Sequence, residues 1–285
     1  MPLISEFDPW SSKLCTCPEK LSLNVYTGCS HGCLYCYSSS YISNFFMPRT
    51  KKDYLKRLSS DLEKLPRNLP ISISNSSDPY ISLEKDEVYM RNTLSLLEEH
   101  KKLIITKSDL VARDIDLLDN AVVAITITTL DEKIAKKLEP NAPVPSKRMA
   151  ALEKISAEGI PTILRLDPVI PFLNDSNEEI EKLVEKAKNA GVKHVISSTY
   201  KTKADNFERM KKAFPEFADR WVEEYGNGEF TQGSRYLPEN IRREIMLRVK
   251  KITENRGMTF ACCRENFPSL NTGVCDGSFL LESNR

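Results

Sequence analysis

The sequence has no excess of either charge: 41 Lys plus Arg stand against 40 Asp plus Glu, for a formal net charge of +1. The field of such a chain as a whole does not draw in nucleic acid or an acidic membrane surface, so any anion has to be met by a local patch. A basic start followed by an apolar run is also missing from the first residues, MPLISEFDPWSS, so no secretory signal is expected. No later segment offers the ~18 unbroken apolar residues of a membrane span. Low-complexity tracts are absent too. The expectation is a cytoplasmic protein without membrane contact. What the chain does have is 285 residues, 40% of them hydrophobic, enough to bury the core of one large domain or two small ones.

Cysteine is missing from the middle of the chain. Eight are present, at Cys15, Cys17, Cys29, Cys33, Cys36, Cys262, Cys263 and Cys275, with none between Cys36 and Cys262. A reducing cytosol does not sustain a disulfide framework, so these residues read as metal ligands or reactive thiols.

Hydrophobic period sets the elements between them. LSLNVY reads as a short strand, and KKDYLKRLSSDLEKL repeats Tyr54, Leu55, Leu58, Leu62 and Leu65 at helical spacing. ISIS at 71–74, LIIT at 103–106 and AVVAITIT at 121–128 follow as strands, with a helix around EVYMRNTLSLLEEH and a shorter helical piece between them. The helix PSKRMAALEKISAEG ends at Gly159, where a left-handed cap is expected, and TILRLDPVI is the next strand. SNEEIEKLVEKAKNAG opens with a capping box from Ser176 to Glu179 and stops at Gly191, ahead of a sixth strand, HVISS. Six strands alternating with helices predict an α/β fold with a parallel sheet, because parallel neighbours need crossover connections.

Alternation alone does not separate an open doubly wound sheet from a curved barrel, but the strand ends help. Polar residues sit at or just past the C-terminal ends of successive strands: Cys29, then Ser77 and Asp78, then Lys107, then Thr126 and Thr128, then Arg165 and Asp167. In barrel-type α/β folds that end is the active face, so these side chains are expected to converge. Taken singly, such a residue is usually a helix cap or a turn former, so the convergence is the argument.

The densest signal is CSHGCLYC, with Cys29, Cys33 and Cys36 inside eight positions. Three thiolates can ligate zinc or an iron–sulfur cluster. Zinc needs a fourth donor, either His31 or a distant cysteine. A four-iron cluster bound by three cysteines leaves one iron open for a substrate or cofactor. The stretch fits the Cys-x3-Cys-x2-Cys pattern, with the aromatic Tyr35 before the third cysteine, and so resembles the signature of the radical S-adenosylmethionine (radical SAM) superfamily. That resemblance implies a 4Fe–4S cluster on Cys29, Cys33 and Cys36. Its open iron is chelated by S-adenosylmethionine, which an electron cleaves to a 5′-deoxyadenosyl radical.

LNVYTGCSHGCLYCY, SSDPY, ITKSDLVARDIDLL, the stretch from ITTLDEKIAKKLEP to AEGIPT, and DPVIPFLND resemble in order the spore photoproduct lyase-like branch, over residues 20–200. The likeness implies a partial (β/α)6 TIM-type barrel with the cluster loop after its first strand. It also implies that Ser77 and Asp78 contact the cofactor's amino group or ribose, that Lys107 pairs with its carboxylate and that Thr126 bonds its ribose. Tyr35 joins these as a cofactor-binding candidate. Arg165 is added from its strand position, against the alternative of a salt bridge to Asp167.

The likeness breaks in two places. Spore photoproduct lyase returns a hydrogen atom from a cysteine just upstream of its Ser-Asp pair, where this chain has Asn75; a carboxamide does not donate hydrogen atoms, which counts against DNA photoproduct repair. At the C-terminal end, FACCRENFPSLNTGVCDGS holds too few cysteines for the seven-cysteine extensions that bind two clusters. Cys262, Cys263 and Cys275, with Cys15 and Cys17, remain candidates for one auxiliary cluster or a zinc site, or act as small buried hydrophobes.

The domain expectation is an N-terminal arm over 1–20, the partial barrel over 21–200 and a helical, cysteine-containing extension over 201–285 that closes the barrel unless substrate does so. In the extension, YKTKADNFERMKK and RREIMLRVKK read as solvated faces rather than phosphate-binding patches, and Trp10, Trp221 and Tyr236 as packing residues. The expected function is reductive cleavage of S-adenosylmethionine and hydrogen abstraction from a small molecule, peptide or nucleic acid, fed by a flavodoxin- or ferredoxin-type reductant. The competing class is a non-catalytic zinc and cysteine module that binds RNA or protein.

Overall fold

The computed structural model describes residues 2–7 and 12–282. Strand β1 (Ile4–Glu6) leads through the arm to β2 (Leu21–Leu23), α1 (Tyr54–Leu62) and β3 (Ile71–Ile73). The short α2 (Glu84–Glu87) and α3 (Tyr89–Leu96) precede β4 (Lys102–Thr106), and two 3-10 turns lead to β5 (Ala121–Thr126). Next come α4 (Glu132–Leu138), α5 (Pro145–Ala157), β6 (Thr162–Val169), α6 (Asn177–Asn189) and β7 (His194–Thr199). The remainder contains α7 (Ala204–Ala213), α8 (Pro215–Gly226), the hairpin β8 (Phe230–Thr231) and β9 (Ser234–Arg235), α9 (Glu239–Glu254) and β10 (Thr259–Cys262).

One sheet runs β1-β2-β3-β4-β5-β6-β7-β10. Every pairing from β2 through β7 to β10 is parallel, and only β1 is antiparallel to its neighbour. The six expected strands are β2 to β7, and the sheet is a partial barrel that does not close on itself. Strands β1 and β10 are not among the six: three or four residues show little period by themselves, and unlike the equally short β2 and β3 neither leads into a helix of the alternating series. The two predicted glycine stops are present: Gly159 and Gly191 have φ of +76° and +86°. The Ser176 hydroxyl caps α6 by accepting from the Glu179 amide at 3.3 Å.

Alternation along the strands divides the sheet into two buried faces. Ile104, Val123, Ile125, Leu164 and Val195 join the main core with Leu58, Leu94, Leu152, Leu183 and Val249 from the helices. Leu103, Val122, Ala124, Ile163 and Ile196 point the other way and form a separate cluster with Leu280 from the C-terminal tail. The 3-10 turn Ser278–Leu281 therefore plugs the inner face of the partial barrel. Gly277, at φ +76°, permits that entry, because a Cβ there would stand 2.1 Å from Ile163 Cδ1.

One expectation about the extension needs amendment. Arg242, in the run read as a solvated face, is 1% exposed and bonds Glu265 Oε2 at 2.9 Å and the Glu265 carbonyl at 3.0 Å. The apolar stripe of α9 continues through its aliphatic stem, and a carboxylate far along the chain supplies the counter-charge. Trp221 and Tyr236 are buried as packing residues, and the Trp221 indole N–H donates to the Pro171 carbonyl at 2.9 Å. Trp10 lies outside the described residues.

His194 carries a pH signature. It is fully buried in β7, bonded through Nδ1 to Thr259 Oγ1 at 2.8 Å and packed edge-on to Phe279. Burial pushes its imidazole from 6.5 down to about 4. The unfolded chain therefore takes up this proton first, so the stabilisation is complete above pH 6.5 and is lost as pH falls towards 4. The depression corresponds to roughly 3 kcal/mol. His194→Gln is expected to flatten the fall in unfolding free energy across that window; an unchanged slope in denaturant titrations would show that other groups control it.

Candidate active site

A cavity of about 580 Å³ opens at the C-terminal ends of the strands. Its wall collects Cys29, Cys33 and Cys36 from the loop after β2, Ser77 and Asp78 after β3, Lys107 after β4, Thr126 from β5, and Arg165 and Asp167 from β6. The expected convergence is thus present, with Thr128 left out of the wall. Thr128 donates to Glu139 at 3.3 Å instead.

The cysteine loop is buried, so its backbone groups need partners. Gly28, at φ +83°, starts it, and a Cβ there would be 2.4 Å from the Phe45 carbonyl oxygen. The Cys29 amide donates to that carbonyl at 2.8 Å, and the Leu34 amide to Leu138 at 2.8 Å. From α7, Arg209 donates to the carbonyls of Leu34 and Cys36, both at 3.2 Å, and Asn206 to that of Tyr35 at 3.2 Å. The run KADNFERMKK therefore braces the loop through Arg209 and Asn206. Sequence reading missed both because their partners lie more than a hundred positions away.

Beneath the loop is a buried ionic pair. Glu139 and Arg148, each 1% exposed, meet at 2.6 Å, and the Tyr35 hydroxyl donates to Glu139. Arg148 also donates to the Pro143 and Thr126 carbonyls at 2.7 and 3.0 Å. Burial works to raise the Glu139 carboxyl, but Arg148 and then Lys107 outweigh it and hold it below its ordinary value. Tyr35, a cofactor-binding candidate, thus spends its hydroxyl on Glu139 while its ring lies 5.5 Å from the Lys107 ammonium.

Asp78 is the junction of three elements. It accepts from the Tyr80 amide at 2.9 Å, Thr106 Oγ1 at 2.7 Å and the Lys107 amide at 2.7 Å, and stands 3.3 Å from His31 Nε2. Burial opposes its charge, but His31 and the backbone donors prevail and hold it at about 2. Ser77 Oγ donates to the Tyr26 carbonyl at 3.2 Å. Arg165 pairs with Asp167, as its alternative reading had it, and reaches Cys263 Sγ at 3.8 Å while still lining the cavity. Asn75 is held by Ser72 Oγ, which donates to it at 2.9 Å, and itself donates to Ser22 Oγ at 2.8 Å.

The remaining cysteines divide. Cys15, Cys17, Cys263 and Cys275 line the same cavity, whereas Cys262 faces the main core. Adjacent residues at the end of β10 point to opposite faces, which separates Cys262 from Cys263.

The model of the Radical SAM superfamily matches residues 23–187. An uncharacterized protein of Mycobacterium tuberculosis is 26% identical over 256 residues, covering 81% of this chain and 73% of its own. One from Methanocaldococcus jannaschii is 32% identical over 164 residues, covering 55% of this chain and 62% of its own. Among solved structures, a spore photoproduct lyase mutant with bound AdoMet and dinucleoside spore photoproduct superposes with a TM-score of 0.67 at 14% identity, over 86% of this chain and 76% of that one. SuiB of Streptococcus suis bound to S-adenosylmethionine gives 0.56 at 17% identity, over 90% and 54%. At such identities the structural likeness speaks for the fold alone.

Proposed function

This chain belongs to the radical SAM superfamily, and from that membership we propose that its cavity holds a 4Fe–4S cluster on Cys29, Cys33 and Cys36 with S-adenosylmethionine beside it. Held by those three thiolates, the cluster would supply the electron for reductive cleavage of S-adenosylmethionine to a 5′-deoxyadenosyl radical, the species that would take hydrogen from a substrate. The observation that carries the assignment is the single wall shared by the three thiols, Lys107, Thr126 and Arg165. Family membership sets aside the non-catalytic metal module.

The donor set suits a cluster. Three thiols fall one short of a closed tetrahedral site, and among the described residues no three His, Cys, Asp or Glu side chains converge tightly enough for a single ion. A four-iron cluster spreads its ligands over separate corners, which matches thiols that share a wall without converging. Burial pushes the Cys33 thiol up to about 12 and raises Cys29 and Cys36 as well. Each thiol must lose its proton to ligate, and cluster iron supplies the compensating charge.

Lys107 remains a cation in the cavity: burial works against its charge, but Cys33 and Glu139 more than offset it. Its ammonium would take the carboxylate of S-adenosylmethionine, and the Thr126 hydroxyl the ribose. Asp78, already accepting three hydrogen bonds, would act by fixing the Lys107 backbone and His31. Ser77, Tyr35 and Arg165 complete the pocket. Cys15, Cys17, Cys263 and Cys275 are the thiols available for a second iron–sulfur cluster or zinc; Cys262 is not among them. The electron would come from a flavodoxin- or ferredoxin-type reductant. Photoproduct repair is disfavoured, because Asn75 occupies the donor's place with its carboxamide tied down.

The test is anaerobic, dithionite-reduced protein incubated with S-adenosylmethionine. We expect 5′-deoxyadenosine and methionine among the products. Absence of both, with an electron paramagnetic resonance signal unmoved by the cofactor, would sink the proposal.

A further inference from the structure

Cys15 and Cys17 lie on the arm between β1 and β2, Cys263 just past the end of β10, and Cys275 in the tail, yet all four line the same cavity. Cys17 and Cys275 Sγ are 3.1 Å apart, and the Cys15 and Cys17 side chains are hydrogen-bonded. All are free thiols. The surrounding contacts draw these segments together: the Asn266 amide donates to the Leu14 carbonyl at 3.1 Å, and Lys20 pairs with Asp276 at 2.7 Å.

We propose that Cys15, Cys17, Cys263 and Cys275 form a second metal centre, separate from the Cys29, Cys33 and Cys36 loop, that binds a thiophilic metal as zinc or as an iron–sulfur cluster. A sulfur-only donor set selects those metals over hard cations. A packing role does not account for the placement. Cysteines that serve as small hydrophobes sit in apolar cores, as Cys262 does, whereas these four border a cavity. Cations accompany them as well: Lys20, 5% exposed, has its ammonium beside Cys17 and Cys275, and Arg165 approaches Cys263 at 3.8 Å. Each cation is also paired with a carboxylate, Asp276 and Asp167 respectively, and with sulfur as its further neighbour it favours the thiolate, the form that ligates metal. Among the described residues no three of the sulfurs yet converge on the position of one ion. Metal binding would therefore draw the four sulfurs closer together, and with them the arm after β1 and the end of β10, which lie at the two edges of the sheet. The metal would staple the open barrel across its gap.

The experiment is iron, zinc and sulfide analysis of anaerobically purified full-length protein carrying Cys29→Ala, Cys33→Ala and Cys36→Ala. This variant lacks the first cluster, so its metal content reports on the second centre whatever becomes of the radical chemistry. The expected result is retained metal, either zinc without sulfide or iron with matching sulfide, which is lost when Cys17→Ala and Cys275→Ala are added. A metal-free triple variant, or metal that survives the added substitutions, overturns the proposal. If the triple variant is insoluble, the wild type decides. Zinc, or iron above the about four per chain of a single cluster, that Cys275→Ala removes supports the second centre. Iron at or below about four with no zinc, an excess that Cys275→Ala leaves in place, or recovery of Cys17 and Cys275 as a metal-free disulfide, overturns it.

Discussion

Cys33→Ala is expected to abolish reductive cleavage of S-adenosylmethionine, with product falling to the level of the cluster-free protein. The residue sits in the turn closed by the Cys36 amide on the Cys33 carbonyl at 3.2 Å, buried between the Lys107 and Glu139 charges. Alanine keeps the turn but removes a ligand, so two thiols would be left to hold four irons. Removing groups that merely orient a metal ligand costs about 10–100-fold, and losing the ligand itself should cost more. The fold should tolerate the change, since one missing sulfur in a core of this size costs about 1 kcal/mol. Iron content and 5′-deoxyadenosine yield, compared at equal folded protein, check it. Undiminished cleavage would mean that the cluster sits elsewhere.

Glu139→Gln is expected to destabilise the protein by about 3–5 kcal/mol, the usual consequence of leaving a buried charge unpaired. Arg148 would keep its bonds to the Pro143 and Thr126 carbonyls but lose its counter-ion. Tyr35 would lose a charged acceptor, and with it the loop its anchor, so iron retention should fall as well. Arg148→Met should cost a similar amount, leaving Glu139 unpaired. The double variant should recover part of the loss, because two well-packed neutral groups replace two stranded ones. Anaerobic denaturant titrations of the four proteins measure the coupling. Additive costs would show that the pair is not the unit described. Since the Glu139 carboxyl is held low in the fold, its contribution is present above the ordinary carboxylate range and lost as pH falls below it.

Arg209 and Asn206 illustrate why parts of the site were hidden. Both sit in a helix whose charge pattern reads as solvated, and their role appears only when α7 lies against the loop carbonyls 171–175 positions away. The Tyr35 and Glu139 pairing spans 104 positions. His31, within the motif, was weighed as a zinc donor and is found beside Asp78 at 3.3 Å. Arg165 was legible as a strand-end residue, but its partner Asp167 was one of two readings until the fold chose.

Local order was written in the chain. The spacing of three cysteines, the period-two and period-3.6 runs of the six parallel units, the glycine stops and the polar residues at the ends of the first five of those strands all depend on neighbours within a few turns, where chain connectivity dictates geometry. Four matters waited for the three-dimensional arrangement: which thiols share a cavity, why Cys262 and Cys263 part company, how the tail plugs the inner face, and which charges are buried under the loop. Each depends on contacts between distant segments, and those are set by the mutual burial of whole faces, which no short stretch of sequence encodes.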